Sequence, residues 1–434
     1  MLQQLKNIYR SLPPWVTAPV KYVPNGVLFG KSFRTCEPRT DLDCIGENLK
    51  TALDYAREHT VWGREHIPTN IAAVDAEKIV ADLPCVTSEE LAAEPERFVS
   101  DASNRFNSYW TTTGETGKNP TKVLLSNSAY GVEWAHMLRI WEMGGYCRKS
   151  DVKLTMRGYH FRPGEILRRD PIYNEVGVDP FQLSDENFNS VMDVIDKLGV
   201  CCIHGYPTLI STFMDQLRRA DRKLKVNEIM LASEGATVEL KRELADFFGA
   251  RVLSWYGLTE KVVLAYDEFA TNRFKVFTSY GFPRVDQLNE NGVGELVGTT
   301  FVNPAMPLVN YCTGDYGRVV KDGSSLAIED LQGRSGKDFI YESESVKYPV
   351  TAINLPGEVQ DKILFYQIVQ NTYGKILIRV LPKVDRFADD AVTVVKKEVG
   401  DRLKNFEVDC CAVKSDKEFE RSKRGKLRML VQEL

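Results

Sequence analysis

The chain has no Cys-x-x-Cys pair, no run of about 18 apolar residues and no surplus of one charge sign. Each absence closes a class. Without paired cysteine spacing a zinc ribbon has no support. Without a long apolar run there is no candidate bilayer span. Lys plus Arg number 56 against 60 Asp plus Glu, a formal charge of −4. A large nucleic-acid footprint needs a basic excess, although a small basic pocket for a nucleotide stays open. No internal repeat or low-complexity tract is present. The first segment, MLQQLKNIYRSLPPWV, lacks the basic, apolar and small-residue order of a secretory signal. The nine Cys include two adjacent pairs, Cys201 with Cys202 and Cys410 with Cys411. They read as reduced, mostly buried thiols, and the sequence predicts a cytoplasmic protein.

What is there suffices for a sizeable core. The 434 residues are 43% hydrophobic and 10% aromatic, and at about 150 residues per domain the length suggests two or three domains. The first hundred residues read as helices and loops, with helical stretches at 46–58 and 88–100. From Glu186 to Glu260 strand and helix alternate. Strands VCCIH, EIMLAS and RVLSWY are separated by helices whose apolar residues fall on one face, namely Leu209, Ile210, Phe213, Met214 and Leu217, then Leu240, Leu244, Phe247 and Phe248. This predicts an α/β fold with mainly parallel pairing. From Glu295 the texture turns to short β-rich segments. After Asp338 a smaller α/β unit follows, with a helix at 389–405. The sequence GRSGKD predicts a boundary, giving an N-terminal domain at 1–333 and a small mobile domain at 334–434.

Five segments could carry chemistry. The first is WTTTGETGKNP at 110–120. Its hydroxyls, glycines and Lys118 suit a polyphosphate, but it is not a Walker A loop, and a plain solvent loop has the same composition. The second, Tyr256-Gly257-Leu258-Thr259-Glu260, follows a strand and sets a hydroxyl beside a carboxylate, as phosphate and metal binding require. A strand-to-helix turn with an N-capping Thr is the alternative. The third, Tyr311-Cys-Thr-Gly-Asp315, places Asp315 where it could accept two ribose hydroxyls, or simply shape a hairpin turn. The fourth is Gly333-Arg334 with Asp338. The fifth is Gly425-Lys426-Leu-Arg428, which alone would be a solvated basic tail.

Taken in order, these segments resemble the adenylate-forming superfamily of acyl-CoA synthetases and non-ribosomal adenylation domains, across residues 111 to 426. Within it the chain resembles the phenylacetate–CoA ligase-like branch, in the set named for capsular polysaccharide biosynthesis. The residues that carry this are His204-Gly-Tyr-Pro207, Pro304-Ala-Met-Pro307 and Tyr366-Gln-Ile-Val-Gln370. The resemblance implies a large adenylate-forming α/β domain, a small rotating one, and ATP with Mg²⁺ as cofactors. Thr111, Thr112, Thr113, Gly114, Thr116, Gly117 and Lys118 would cradle the departing phosphates. Thr259 would bind the α-phosphate and Glu260 would help hold Mg²⁺. Asp315 and Arg334 would fix the ribose. Ser233, Glu234, Gly235, Trp255, Tyr256 and Gly257 would border the adenine. Lys426 would bridge the carboxylate and the forming phosphoester. His204, Gly205, Tyr206 and Pro207 would line the acyl pocket, His204 being otherwise a structural strand-end residue.

The implied activity is carboxylate activation to an acyl-adenylate with release of pyrophosphate. Acyl transfer follows, to the thiol of coenzyme A or a carrier protein, or to an amine. A catalytically silent nucleotide-binding scaffold is the alternative of another class. Lys118, Thr259, Glu260, Asp315 and Lys426, all present, favour the enzyme. The chain departs from the family pattern in three places. Glu115 stands in the phosphate loop. SEG at 233–235 inverts the usual GE order. The GR…D spacing is one residue long, so Lys337 or Asp338 is the hinge. KDGSSLAIEDLQGR contains no Cys, so no structural zinc is expected.

Overall fold

The computed structural model describes residues 18–112, 121–157, 165–178, 182–233, 235–286, 292–332, 339–350, 353, 355, 359, 362–382, 388–415, 418–420 and 430–434. A hairpin of β1 (Ser108–Thr112) and β2 (Lys122–Ser126) precedes the long helix Asn127–Gly144. The main sheet has twelve strands. Its parallel half comprises β3 (Val152–Met156), β5 (Glu175–Val178), β6 (Val200–Gly205), β7 (Glu228–Leu231) and β8 (Arg251–Gly257), with β4 (Leu167–Asp170) added antiparallel at the edge. The β-rich stretch extends this same sheet. β9 (Leu264–Glu268), β10 (Phe274–Val276), β11 (Gly281–Asp286), β12 (Gly294–Thr300), β13 (Tyr311–Asp322) and β14 (Ser325–Gln332) continue it with antiparallel pairing, in spatial order β8-β9-β10-β14-β13-β12-β11.

Local chemistry explains the α/β half. Strands β3, β5, β6 and β7 are buried on both faces, so they read as largely apolar runs rather than alternations. Helix Pro207–Arg219 starts with Pro at its first turn and ends on Arg218 and Arg219, favoured at the two ends respectively. Its residues Leu209, Ile210, Phe213, Met214 and Leu217 are at most 1% exposed, as the one-face spacing predicts. Helix Val238–Phe248 is capped by the Thr237 hydroxyl and stops at Gly249, whose φ of +64° costs glycine little.

Strand order creates a crevice. From β3 the chain moves outward to β5, then returns to β3's other side and continues through β6, β7 and β8. The direction of winding therefore switches between β3 and β6. In open α/β sheets ligands bind outside the carboxyl ends of the strands at such a point.

The C-terminal unit has a hairpin, β15 (Phe339–Tyr341) with β16 (Lys347–Pro349), and a four-stranded sheet. That sheet is ordered β19 (Glu407–Ala412), β18 (Lys375–Pro382), β17 (Ile363–Thr372), β20 (Leu430–Gln432), and helix Ala388–Arg402 accompanies it. Gln370 ties the hairpin to the sheet. Its side-chain amide accepts from the Tyr341 N–H at 2.8 Å and donates to the Tyr341 carbonyl at 2.6 Å. One apolar cluster runs from β3, β6 and helix Pro207–Arg219 into this unit through Tyr348 and Ile340. Gly333 to Asp338, where the sequence predicts the boundary, lie outside the described residues.

The thiols depart from expectation. All nine are free, but Cys202 alone is fully buried, while Cys147 and Cys411 are exposed. Cys411 lies on the edge strand β19, where one face meets solvent. No helix among the described residues is long and apolar enough to cross a membrane.

Candidate active site

Two of the motifs meet. β8 ends at Tyr256 and Gly257, and the chain turns through Leu258 to Glu260 before β9. β13 begins at Tyr311. The Tyr311 phenol donates to the Glu260 carboxylate at 2.8 Å, and the Tyr256 phenol donates to the Asp315 carboxylate at 2.9 Å. Each tyrosine therefore holds the acid of the other motif. Burial and the neighbouring Asp315 carboxylate push the Tyr256 phenol well above its ordinary range, so it stays a donor. Glu260 is 2% exposed and Tyr311 is fully buried.

The TGD turn has its own cause. The β12–β13 register shifts between Glu295 and Val297. Gly314 takes φ +72° there, and its N–H donates to Glu295 at 2.8 Å. The Thr313 hydroxyl donates to the Leu296 carbonyl and accepts from the Asp315 N–H. Asp315 is thus locked by its own turn as well as by Tyr256.

The β6 end lies at the switch point. The Tyr206 N–H donates to the Met156 carbonyl at 3.0 Å. A Cβ on Gly205 would sit 2.2 Å from that oxygen, so only glycine fits. His204 is 6% exposed, with its ring against both Trp141 and Trp255 at centroid distances of 5.6 and 5.5 Å. Burial, with the positive charges of Lys153 and Arg157, holds the imidazole well below its ordinary pKa and therefore neutral. Its Nδ1 is buried without a hydrogen-bond partner among the described residues. At the end of β7, Ser233 is exposed with φ +68°, a conformation a non-glycine residue adopts at some cost. Space around Gly235 is open.

Thr111 and Thr112 close β1 opposite Val123 and Lys122. Thr113, Gly114, Glu115, Thr116, Gly117 and Lys118 lie outside the described residues, as do Glu234, Arg334, Lys337, Asp338 and Lys426. The structure thus brings Tyr256, Glu260 and Asp315 together, and sets His204 to Pro207 and Ser233 at neighbouring strand ends. Thr259 is half-buried in the Glu260 turn.

Sequence reading did not assign several further polar residues here. Tyr311 opens a motif that was noticed, yet its role as donor to Glu260 was not foreseen. Lys261, directly after Glu260, takes φ +62° and donates to Glu133 on helix Asn127–Gly144 at 2.5 Å. Behind the crevice, Lys153 lies 3.3 Å from Glu175 and 4.1 Å from the Trp141 ring centre. Glu133 and Glu175 stand far from any motif and left no local signal.

No family model and no curated protein matches the chain. Solved structures do. A 2-hydroxyisobutyryl-CoA ligase in its thioester-forming state, with an acyl-AMP and CoA, superposes with a TM-score of 0.56 at 14% identity, covering 98% of this chain and 94% of that one. The same ligase in an open conformation with the same two ligands gives 0.51 at 14% identity, covering 90% and 93%. At this identity the likeness is one of fold. The chain has the large mixed sheet and small C-terminal α/β sheet of ligases that form acyl-adenylates.

Proposed function

We propose that this chain activates a carboxylic acid with ATP, releasing pyrophosphate, and passes the acyl group to a thiol, that of coenzyme A. The observation that carries the proposal is the exchange of tyrosine–carboxylate bonds between YGLTE, at the carboxyl end of β8, and YCTGD, at the start of β13. It holds two acids in fixed positions at the end of β8, and a nucleotide needs a ribose acceptor and a metal-binding oxygen. Adenylation joins two anions, so positioning and charge neutralisation are the main demands on the protein.

In this reading Asp315 accepts the ribose hydroxyls, with Arg334 beside it. Thr259 binds the α-phosphate, and the 111–118 loop with Lys118 takes the leaving phosphates. The oxygen donors of Glu260 and Thr259 fit Mg²⁺, a hard cation that would neutralise phosphate charge. Trp255, Tyr256, Gly257 and 233–235 border the adenine. His204 to Pro207 face the acyl group across the β3–β6 crevice, and the phenylacetate–CoA ligase-like branch rests on this segment with PAMP and YQIVQ.

The substrate carboxylate attacks the α-phosphorus, the bond to the β-phosphate breaks, and Lys426 stabilises the crowded charge. The small unit, residues 334–434, then turns about Lys337 or Asp338. The thiol attacks the acyl carbonyl, loses its proton, and AMP leaves.

ATP–pyrophosphate exchange over a panel of aliphatic, aromatic, amino and sugar acids tests this. Exchange driven by one acid, abolished in Lys426→Ala with ATP binding retained, is the expected result. Absence of ATP binding overturns the reading.

A further inference from the structure

The amino end of β6 is the end opposite the one that carries His204 and Gly205. Consecutive residues of a regular strand point to opposite faces. Here the β3–β6 register slips by one, because Val152 pairs with Val200 but Lys153 pairs with Cys202. Cys201 is the extra residue of this bulge, and bulges re-aim side chains. The result is a distance of 4.0 Å between the sulfurs of Cys201 and Cys202. Asp151, just before β3, joins them, and one donor atom from each of the three lies within 4.8 Å of the others. The Asp151 carboxylate is oriented by the Cys147 N–H at 2.7 Å and the Ser150 hydroxyl at 2.8 Å, and its oxygens retain further lone pairs.

A second observation is independent of this triad. Glu228 pairs with Cys202 across β6 and β7, so its side chain stands on the same face of the sheet. It is fully buried, and among the described residues neither oxygen has a hydrogen bond of normal geometry, the Tyr146 N–H being the nearest backbone donor acting on it. It presses on Gly144, where a Cβ would lie 2.2 Å from the carboxylate carbon. That glycine ends helix Asn127–Gly144, and the C-terminal end of a helix dipole favours cations over anions. A buried carboxyl with so few donors around it is costly to ionise. Lys153, on the other side of Cys202, is committed to Glu175 and Trp141.

We propose that Asp151, Cys201 and Cys202, with water as fourth donor, bind a thiophilic divalent cation of the zinc class. Two sulfurs sharing a tetrahedral ion at about 2.3 Å would stand about 3.8 Å apart, close to the separation of this pair. Two thiolates select against Mg²⁺ and Ca²⁺. Asp151 and Cys201 are half-buried, leaving a path from solvent. Each thiol gives up its proton to water on binding. The site is independent of adenylation. It reverses the expectation of no structural zinc, which looked for a cysteine-rich motif and not for two strands joined by a bulge.

The test is Co²⁺ titration of the chelator-stripped full-length chain. About one equivalent should produce a near-ultraviolet sulfur-to-cobalt charge-transfer band that Zn²⁺ removes. The Cys201→Ser/Cys202→Ser variant should lose the band, whereas Cys410→Ser/Cys411→Ser and Cys147→Ser should keep it. A measurement on the wild-type chain needs no variant. Zn²⁺ should slow alkylation of Cys201 by about tenfold or more, read by peptide mass spectrometry, and leave the exposed Cys147 unaffected. No band, a band that survives loss of both cysteines, or equal alkylation with and without Zn²⁺ overturns the proposal.

Discussion

The hydrogen bond from Tyr311 to Glu260 spans 51 residues of sequence and 2.8 Å of space. It joins the start of β13 to the turn after β8, and it is buried at both ends. Phe at 311 would keep the ring's packing and delete only the donor. A buried hydrogen bond to a charged acceptor is worth about 1.5–3 kcal/mol. Tyr311→Phe should therefore lower ATP–pyrophosphate exchange by about 10- to 100-fold, with a larger deficit at low Mg²⁺. Unchanged exchange across a Mg²⁺ titration would show that the bond is structural only.

His136 makes a pH prediction. Its ring lies on the buried face of helix Asn127–Gly144, with Nδ1 against the Val132 carbonyl one turn back at 2.8 Å and Nε2 against the Ser279 hydroxyl at 2.9 Å. Burial lowers its pKa to about 4 from an ordinary 6.5. The unfolded chain thus binds the proton first as pH falls. Stability contributed by the neutral ring is complete above about pH 6.5 and declines toward pH 4, with a slope of at most about 1.4 kcal/mol per pH unit. Urea unfolding of His136→Asn and wild type across this window should show a shallower acid decline in the variant. Parallel curves would refute the assignment.

Lys153 and Glu175 form an ion pair with both side chains nearly inaccessible to solvent. Burial already lowers the Lys153 pKa, and Glu175 opposes that shift. Glu175→Gln removes the opposition and should destabilise the chain by about 3–5 kcal/mol at neutral pH. An amine with a depressed folded pKa binds fewer protons than its unfolded form, so the variant should regain stability as pH rises toward the ordinary lysine value. Lys153→Met/Glu175→Gln should recover much of the loss. A variant whose deficit is the same at pH 7 and pH 10 would contradict this account.

Gly205 tests the β3–β6 crevice. Ala there would place its Cβ 2.2 Å from the Met156 carbonyl oxygen, which is backbone and cannot rotate away. Gly205→Ala should cost about 1–3 kcal/mol by forcing the two strand ends apart, visible as a lower melting temperature. Gly235→Ala, with open space around it, serves as the control. Equal melting temperatures for the two variants would rule out the close approach.

Much of the architecture was legible along the chain because it depends on neighbours in sequence. The one-face apolar spacing of helix Pro207–Arg219, the Gly249 stop and the apolar runs of β6 to β8 follow from side-chain period and backbone preference. The YGLTE and YCTGD segments were visible for the same reason, since turn chemistry and strand ends are local. The pairing of Tyr256 with Asp315 and of Tyr311 with Glu260 was not. Nor was the bulge that turns Cys201 toward Cys202, or the burial of Glu228 beneath Gly144. Each depends on strand order and on register, which one residue of slippage changes, and no local pattern encodes which strand will lie beside which. The sequence by itself determined the elements and which side chains each of them offers. Only the folded sheet decided which acid meets which donor, because contacts between distant residues arise when strands pair.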